Sequence, residues 1–243
     1  MSFVENLKRA LTVVTGIGAP SEEEARAAVR KGKPRTIAFQ DDGTIPNNPT
    51  LPLVIFKNAV RLDGAADAAA MFETLFAANG WGNSWRNGIY DYVRYHSRIH
   101  EVLGIARGSA RVRFGGDGGE EIEIKAGDVA ILPAGTGHHR LSASEDFLVV
   151  GAYPAEGEYD ECRGAPEEHA RALKTIPNVP LPKADPIHGA DGPLLEAWTR
   201  KKRTSAPKRR ASAKTATARR RPAKKAKLAG TAKTAAARRK RKG

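Results

Sequence analysis

Residues 88–150 never run far before a glycine interrupts them. Between the interruptions the side chains alternate. Ala110, Val112 and Phe114 are separated by Arg111 and Arg113, and Ile122 and Ile124 lie among Glu121, Glu123 and Lys125. A period of two marks a strand with one buried face. The turns Gly115-Gly116-Asp117-Gly118-Gly119 and Ala126-Gly127-Asp128 end such strands before they grow long. Residues 89–97 and 101–106 read as two more strands, the second with Glu101, Leu103 and Ile105 on one face. Residues 129–132 and 147–150 are almost continuously apolar, as strands buried on both sides are. Short strands recurring about every 8–12 residues exclude a helical bundle and specify an all-β barrel or sandwich.

The flanks are built differently. Val4, Leu7, Leu11 and Val14 recur at helical spacing. Pro20-Ser21-Glu22-Glu23-Glu24 starts a second helix, predicted to run to about Arg30, with its acidic groups in the first turn. Residues 1–36 therefore read as a helical extension. An apolar strand over 51–56 and a helix over 67–78 follow, with Ala70, Phe72, Leu75 and Phe76 toward the core. Beyond the strands come a helix near 166–174 and a proline-rich strap over 176–193, which Leu194, Leu195 and Trp198 pin down. Residues 37–199 make up the folded domain on this reading.

Composition matters most at the C-terminus. The 243 residues include 41 Lys and Arg against 27 Asp and Glu, a formal net charge of +14. Residues 200–243 hold 20 of those basic groups and no acidic one, so the rest of the chain, with 21 against 27, is acidic on balance. A segment this poor in large apolar side chains cannot offset its ordering entropy and is predicted to be disordered. Its clusters are Lys208, Arg209 and Arg210; Arg219, Arg220 and Arg221; Lys224 and Lys225; and Arg238, Arg239, Lys240, Arg241 and Lys242. They resemble linker-histone tails and predict nonspecific, salt-sensitive contact with DNA or RNA. No apolar run is long enough for a transmembrane helix. Residues 10–19 lack the cleavage site of a secretory leader, and the single cysteine, Cys162, cannot form an internal disulfide. The expected location is the cytoplasm.

Two stretches carry chemistry. One is His96-Ser97-Arg98-Ile99-His100-Glu101, followed by Gly108; the other holds Gly127, Pro133, Gly135 and His138. Strands and tight turns of a barrel can aim His96, Glu101 and His138 into one lumen. These positions resemble the two motifs of the cupins. His96, Glu101 and Gly108 match the later part of the first motif, and Gly127, Pro133, Gly135 and His138 match the second. The resemblance extends over roughly residues 37–199 to the YjlB-like branch of that superfamily, through Asp41-Asp42-Gly43-Thr44-Ile45-Pro46-Asn47-Asn48-Pro49 and Ala190-Asp191-Gly192-Pro193-Leu194. It implies a single jelly-roll barrel, or double-stranded β-helix, with a few flanking helices. It also implies one divalent metal in the lumen and a homodimer.

Two positions depart from the pattern. The first motif's leading histidine is replaced by Arg94, which stays protonated and cannot bind a divalent metal. The second motif's terminal asparagine is replaced by Ser142. The implied ligand set is therefore His96, Glu101 and His138, two imidazoles and a carboxylate, a composition that favours Fe(II) over Mn, Ni or Zn. His100 is the alternative third imidazole, which requires the chain to bend between 96 and 101. Arg94, if turned inward, presents a planar fork to a substrate carboxylate. The expected function is metal-dependent oxygenation or isomerisation of a small organic acid. Two other readings stay open. One is a non-catalytic barrel that binds or senses a small ligand, with Glu101 paired to Arg94 or Arg98 in place of a metal. The other is a nucleic-acid-associated protein that uses the barrel as a dimerisation platform.

Overall fold

The computed structural model describes residues 19–199. The helix expected from Val4, Leu7, Leu11 and Val14 lies outside them, as do the predicted disorder and the nucleic-acid clusters of residues 200–243. The first helix, α1 (Glu22–Ala27), opens as its sequence predicts. Ser21 accepts a hydrogen bond from the Glu24 amide, while the Glu24 side chain accepts from Ser21. It stops short of Arg30 because Val29 pairs with Val60 as a β-bridge.

Two sheets follow. Strands β1 (Arg35–Ile37), β2 (Leu53–Phe56), β3 (Trp81–Asn87), β4 (Glu101–Arg107), β7 (Val129–Leu132) and β9 (Leu148–Pro154) form one sheet in the order β1-β2-β7-β4-β9-β3. Strands β5 (Ser109–Phe114), β6 (Glu120–Lys125) and β8 (His138–Ala143) form the other, in the order β6-β5-β8. Every pairing is antiparallel. This is the all-β architecture that the strand pattern predicts and the jelly roll that the resemblance implies.

The six-stranded sheet has two buried faces. Its inner face contributes Leu53, Ile55, Leu103, Ile105, Ala130, Leu132 and Val149 to one apolar cluster with Ala110, Val112, Phe114, Ile122 and Ile124 of the smaller sheet. Its outer face, with Val54, Val102, Ile131 and Val150, is covered by α2 (Ala68–Ala78) and by α4 (Pro193–Thr199), the last described element. Asp67 caps α2 by accepting from the Ala69 and Ala70 amides. Gly104 of β4 lies beneath α2, and a Cβ there would come within 2.5 Å of the Phe72 ring. Strand β4 therefore carries alternate residues into the lumen and into the helical layer.

One expected strand is absent. Residues 88–100 run irregularly, and only Arg94 and Tyr95 pair, with His138 and Cys162 respectively. The alternation there is real, but it serves two different neighbours for one residue each, so no ladder forms. After α3 (Pro166–Thr175) the strap is tied by Asp185. This buried carboxylate accepts from the amides of Ile187, His188 and Leu194. Gly192 packs directly on it, where any Cβ would collide with the Asp185 side chain. Among the described residues no helix is long and apolar enough to cross a membrane.

Candidate metal centre

Glu101 begins β4 and shares the inner face with Leu103 and Ile105. The chain bends just before it, at residues 97–98. That bend lets His96 turn into the lumen beside Glu101, although strand parity alone would oppose them. His138 begins β8 and reaches the same point from the opposite sheet. The His96 Nε2 lies 3.4 Å from Glu101 Oε1, and the His138 Nε2 lies 3.7 Å from Glu101 Oε2. All three side chains are buried.

The ring orientations are set from behind. His96 Nδ1 faces the Asp160 carbonyl, and His138 Nδ1 lies 3.4 Å from the Thr136 carbonyl. A carbonyl can only accept, so each Nδ1 carries a proton, and in its neutral form each ring turns an Nε2 lone pair toward Glu101. Asp160 is in turn fixed through its carboxylate, which accepts from the Ser97 amide at 2.9 Å, the Arg98 amide at 3.1 Å and the Ser97 hydroxyl at 2.6 Å. Asn47 braces the loop before His138. Its amide donates to the Gln40 and Gly115 carbonyls, and its oxygen accepts from the Gly137 amide. Neighbouring Asn48 donates to the Ala134 carbonyl. The 41–49 stretch thus ties the loop before His138 to the turn that follows β5.

His96 Nε2, His138 Nε2 and both Glu101 oxygens are buried and have no hydrogen-bond partner. Four acceptor atoms facing one another without a proton or cation between them repel. Burial pushes His138 down to about 4, so it is neutral near pH 7. Burial also opposes charge on His96, but the Glu101 carboxylate outweighs it and raises that pKa. Burial opposes ionisation of Glu101 as well, yet His96, His138 and Arg94 hold it down to about 2.

Among the described residues no group of three or more His, Cys, Asp or Glu side chains is placed so that it could hold a metal ion as it stands. The donor chemistry nonetheless fits a divalent ion. Two ligands each about 2.1 Å from one ion, at roughly 90–110° to each other, stand about 3.0–3.5 Å apart. The 3.4 Å pair lies within that interval and the 3.7 Å pair just beyond it.

Arg94 completes the group. Its amide and carbonyl pair with those of His138, at 3.2 and 3.0 Å, which fixes it beside the lumen. Its guanidinium is buried, with Nη2 3.7 Å from Glu101 Oε1, Nη1 3.4 Å from Glu161 Oε2, and Nε without a partner. A cavity of 310 Å³ opens beside it, lined by Trp85, Tyr90, Tyr153, Tyr159 and Glu161.

The structure thus brings His96, Glu101, His138 and Arg94 together, and it sends His100 elsewhere. The bend that admits His96 leaves His100 on the outer face of β4, where its Nδ1 accepts from the Ala134 amide and its ring packs on Trp198. Burial lowers its pKa to about 4. Asp160, Tyr153 and Tyr159 carry no motif signal in the sequence, and Asn47 lies in the 41–49 stretch that carries the resemblance without a role legible there; their roles come from long-range packing. Of the aromatic residues near the strands, Trp85 and Tyr90 line the cavity. Trp81 is core, and Tyr92 packs under Arg163. His139 faces the outer surface near Arg113, His169 pairs with Asp41, and Cys162 is buried against Asp160.

No family model matches the chain. It is 45% identical over 166 residues to the uncharacterized protein YjlB of Bacillus subtilis (strain 168), an alignment that covers 68% of this chain and 97% of the relative. Among solved structures, a study of the Mn(II) centres of Bacillus subtilis oxalate decarboxylase matches with 17% identity over 48% of this chain and 29% of that one, at a TM-score of 0.29. A DUF861 family protein from Thermotoga maritima matches with 21% identity over 30% of this chain and 75% of that one, at a TM-score of 0.22.

Proposed function

Since the chain belongs to the YjlB-like cupins, we propose that it holds one divalent metal on His96, Glu101 and His138 and binds a small organic acid beside it. The observation that carries this reading is the set of four buried, unpartnered acceptor atoms facing one another in the lumen. Fe(II) is the ion that two imidazoles and one carboxylate favour, and it leaves positions open to other ligands. When bound, the ion supplies Lewis acidity and, as Fe(II), the capacity to engage O₂. The protein's own groups do the rest. The Asp160 and Thr136 carbonyls keep the ring protons on Nδ1, so both Nε2 atoms stay available as ligands. Arg94 receives the acid's carboxylate through a charge-assisted pair and orients it toward Glu101's end of the lumen. Trp85 and Tyr153 form the inner part of the wall beside Arg94, while Tyr90 and Tyr159 stand at its exposed rim. Oxygenation or isomerisation of the acid is the activity this arrangement suits.

The test is metal content by elemental mass spectrometry on anaerobically purified protein, beside a His138→Ala variant. About one iron per chain, lost in the variant, upholds the reading. Stoichiometric Mn, Ni or Zn changes the ion and keeps the site. Absence of metal from both samples after reconstitution overturns the metal reading. It leaves the second one, a non-catalytic small-ligand barrel, which is favoured by the Arg94 guanidinium standing 3.7 Å from Glu101 as a built-in counter-charge.

A separate proposal concerns residues 200–243, whose 20 basic groups face no acidic neighbour in sequence. We propose that they bind DNA or RNA without reading its sequence, with a dissociation constant of about 10⁻⁴ to 10⁻⁶ M at physiological salt. Gel retardation that survives deletion of residues 200–243, or that ignores salt, refutes it.

A further inference from the structure

The cavity beside Arg94 has features that the organic-acid reading does not require. Its walls are aromatic: Trp85, Tyr90, Tyr153 and Tyr159 line it together with Arg94 and Glu161. The Trp85 indole packs on Gly151, where any side chain would occupy the ring's own space. Its Nε1 donates to the Tyr153 hydroxyl at 2.9 Å, so the two rings hold each other in place. That bond fills one lone pair of the phenol and leaves its hydrogen to donate. Burial raises the Tyr153 pKa, so the hydroxyl stays protonated across the ordinary pH range. Tyr159 stands edge-on to Tyr153 with centroids 5.5 Å apart, and Tyr90 lies under the Arg94 guanidinium at 5.3 Å.

The charges select the sign of the ligand. Arg86 also lines the cavity, but its guanidinium is already bound by Asp67 at 2.8 Å and by Glu73 at 2.7 and 3.0 Å. Arg94 is not matched in this way. It is 5% exposed, its Nε has no partner, and its contacts to Glu101 and Glu161 are long, at 3.7 and 3.4 Å. Glu161 also contacts Arg163 at 3.2 Å and is part-exposed, so it can swing off Arg94 when an anion arrives. An aromatic cage alone suits a cationic ligand as well. A buried guanidinium on its wall, with Nε still without a partner, offers donors that a carboxylate can use and a cation cannot. The size limit comes from the volume: 310 Å³ is at the low end of the roughly 300–1,000 Å³ of ligand cavities, enough for one ring and a short acid arm.

We propose that the ligand is a single-ring aromatic carboxylate, with its carboxylate on Arg94 and the Tyr153 hydroxyl and its ring among Trp85, Tyr90 and Tyr159. This deepens the organic-acid reading above and rests on it for the role of Arg94, but it does not depend on the metal. The experiment is calorimetric titration of the full chain, metal-loaded and chelator-treated, with benzoate, cyclohexanecarboxylate, acetate and benzamide. Benzoate is expected to bind at least tenfold tighter than acetate and benzamide, and several-fold tighter than cyclohexanecarboxylate. Arg94→Gln should weaken benzoate at least tenfold and leave benzamide unchanged. Tyr90→Ala, at a part-exposed ring, should weaken benzoate and leave acetate unchanged. If Arg94→Gln fails to fold by circular dichroism, the Tyr90→Ala comparison decides. Equal affinity for benzoate, cyclohexanecarboxylate and acetate overturns the aromatic class and spares the organic-acid reading. No binding of any acid to metal-loaded protein overturns both of these and spares the metal centre. Benzoate binding to protein that never takes up metal upholds this proposal and overturns the metal reading alone.

Discussion

Asp160→Ala separates the metal centre's support from its ligands. The Asp160 carboxylate accepts from the Ser97 amide, the Arg98 amide and the Ser97 hydroxyl, while its backbone carbonyl meets His96 Nδ1. The substitution keeps the carbonyl and removes what pins it. Each lost bond is worth about 1 kcal/mol net, more where the acceptor is charged, less for the exposed Arg98 amide. The sum is about 3 kcal/mol. For a body of this size, with roughly 2–4 °C per kcal/mol, the melting temperature of chelator-treated protein should fall by about 6–12 °C. Loss of an outer-shell partner to a ligating histidine typically weakens metal binding about 10–100-fold. Competition against a chromophoric chelator measures that directly. The control is Asp185→Ala, which also strands backbone amides (those of Ile187, His188 and Leu194) but lies in the strap. It should lower stability comparably and leave metal affinity within twofold. Equal metal affinity in the two variants would refute the claim that Asp160 positions His96.

Three further outcomes follow from the same contacts. Asn47→Asp puts a second oxygen against the Gln40 and Gly115 carbonyls, so about 2 kcal/mol of stability should go and chelator competition should show weaker metal binding through the loosened His138 loop. Gly151→Ala drives a methyl into the Trp85 indole, costing about 1–3 kcal/mol by chemical denaturation and quenching less Trp fluorescence on ligand addition. Asp185 is the pH probe: burial raises its pKa, but His188 and the Ile187, Leu194 and His188 amides outweigh that and leave it lowered. Its stabilisation is therefore complete above the ordinary carboxylate value of about 3.9 and is lost as pH falls through its lower folded value. Asp185→Asn should show a shallower loss of stability in that acid window, read by urea melts from pH 5 downward.

The strands were legible because each pairs with a regular neighbour over several residues. Ala110, Val112 and Phe114 point inward just as their alternation requires. The segment from 89 to 97 alternates equally well and forms no ladder, because its partners are the first residue of β8 on one side and Cys162 on the other. Alternation reports burial, and burial can come from single bridges as well as from a sheet. Motif spacing drew attention to His96, Glu101 and His138, while the choice between His96 and His100 hung on a bend that no local residue pattern announces. The carbonyls that orient the two rings were beyond reach for a simpler reason. A backbone acceptor has no sequence signature, and Asp160 stands 64 residues from the histidine it holds.

The two faces of β4 give this chain a useful separation of tasks for anyone who wishes to alter it. Positions 101, 103 and 105 look into the lumen, while 102, 104 and 106 look at the helical layer. A library confined to the first set varies the site at 101 and the inner apolar cluster at 103 and 105. One confined to the second set tunes robustness without rewriting the site, except at Gly104, where the Phe72 ring leaves space for nothing larger than hydrogen. Winners from the two sets need to be combined in double-mutant cycles, because consecutive residues of one strand stand well within the roughly 7–10 Å over which substitutions couple.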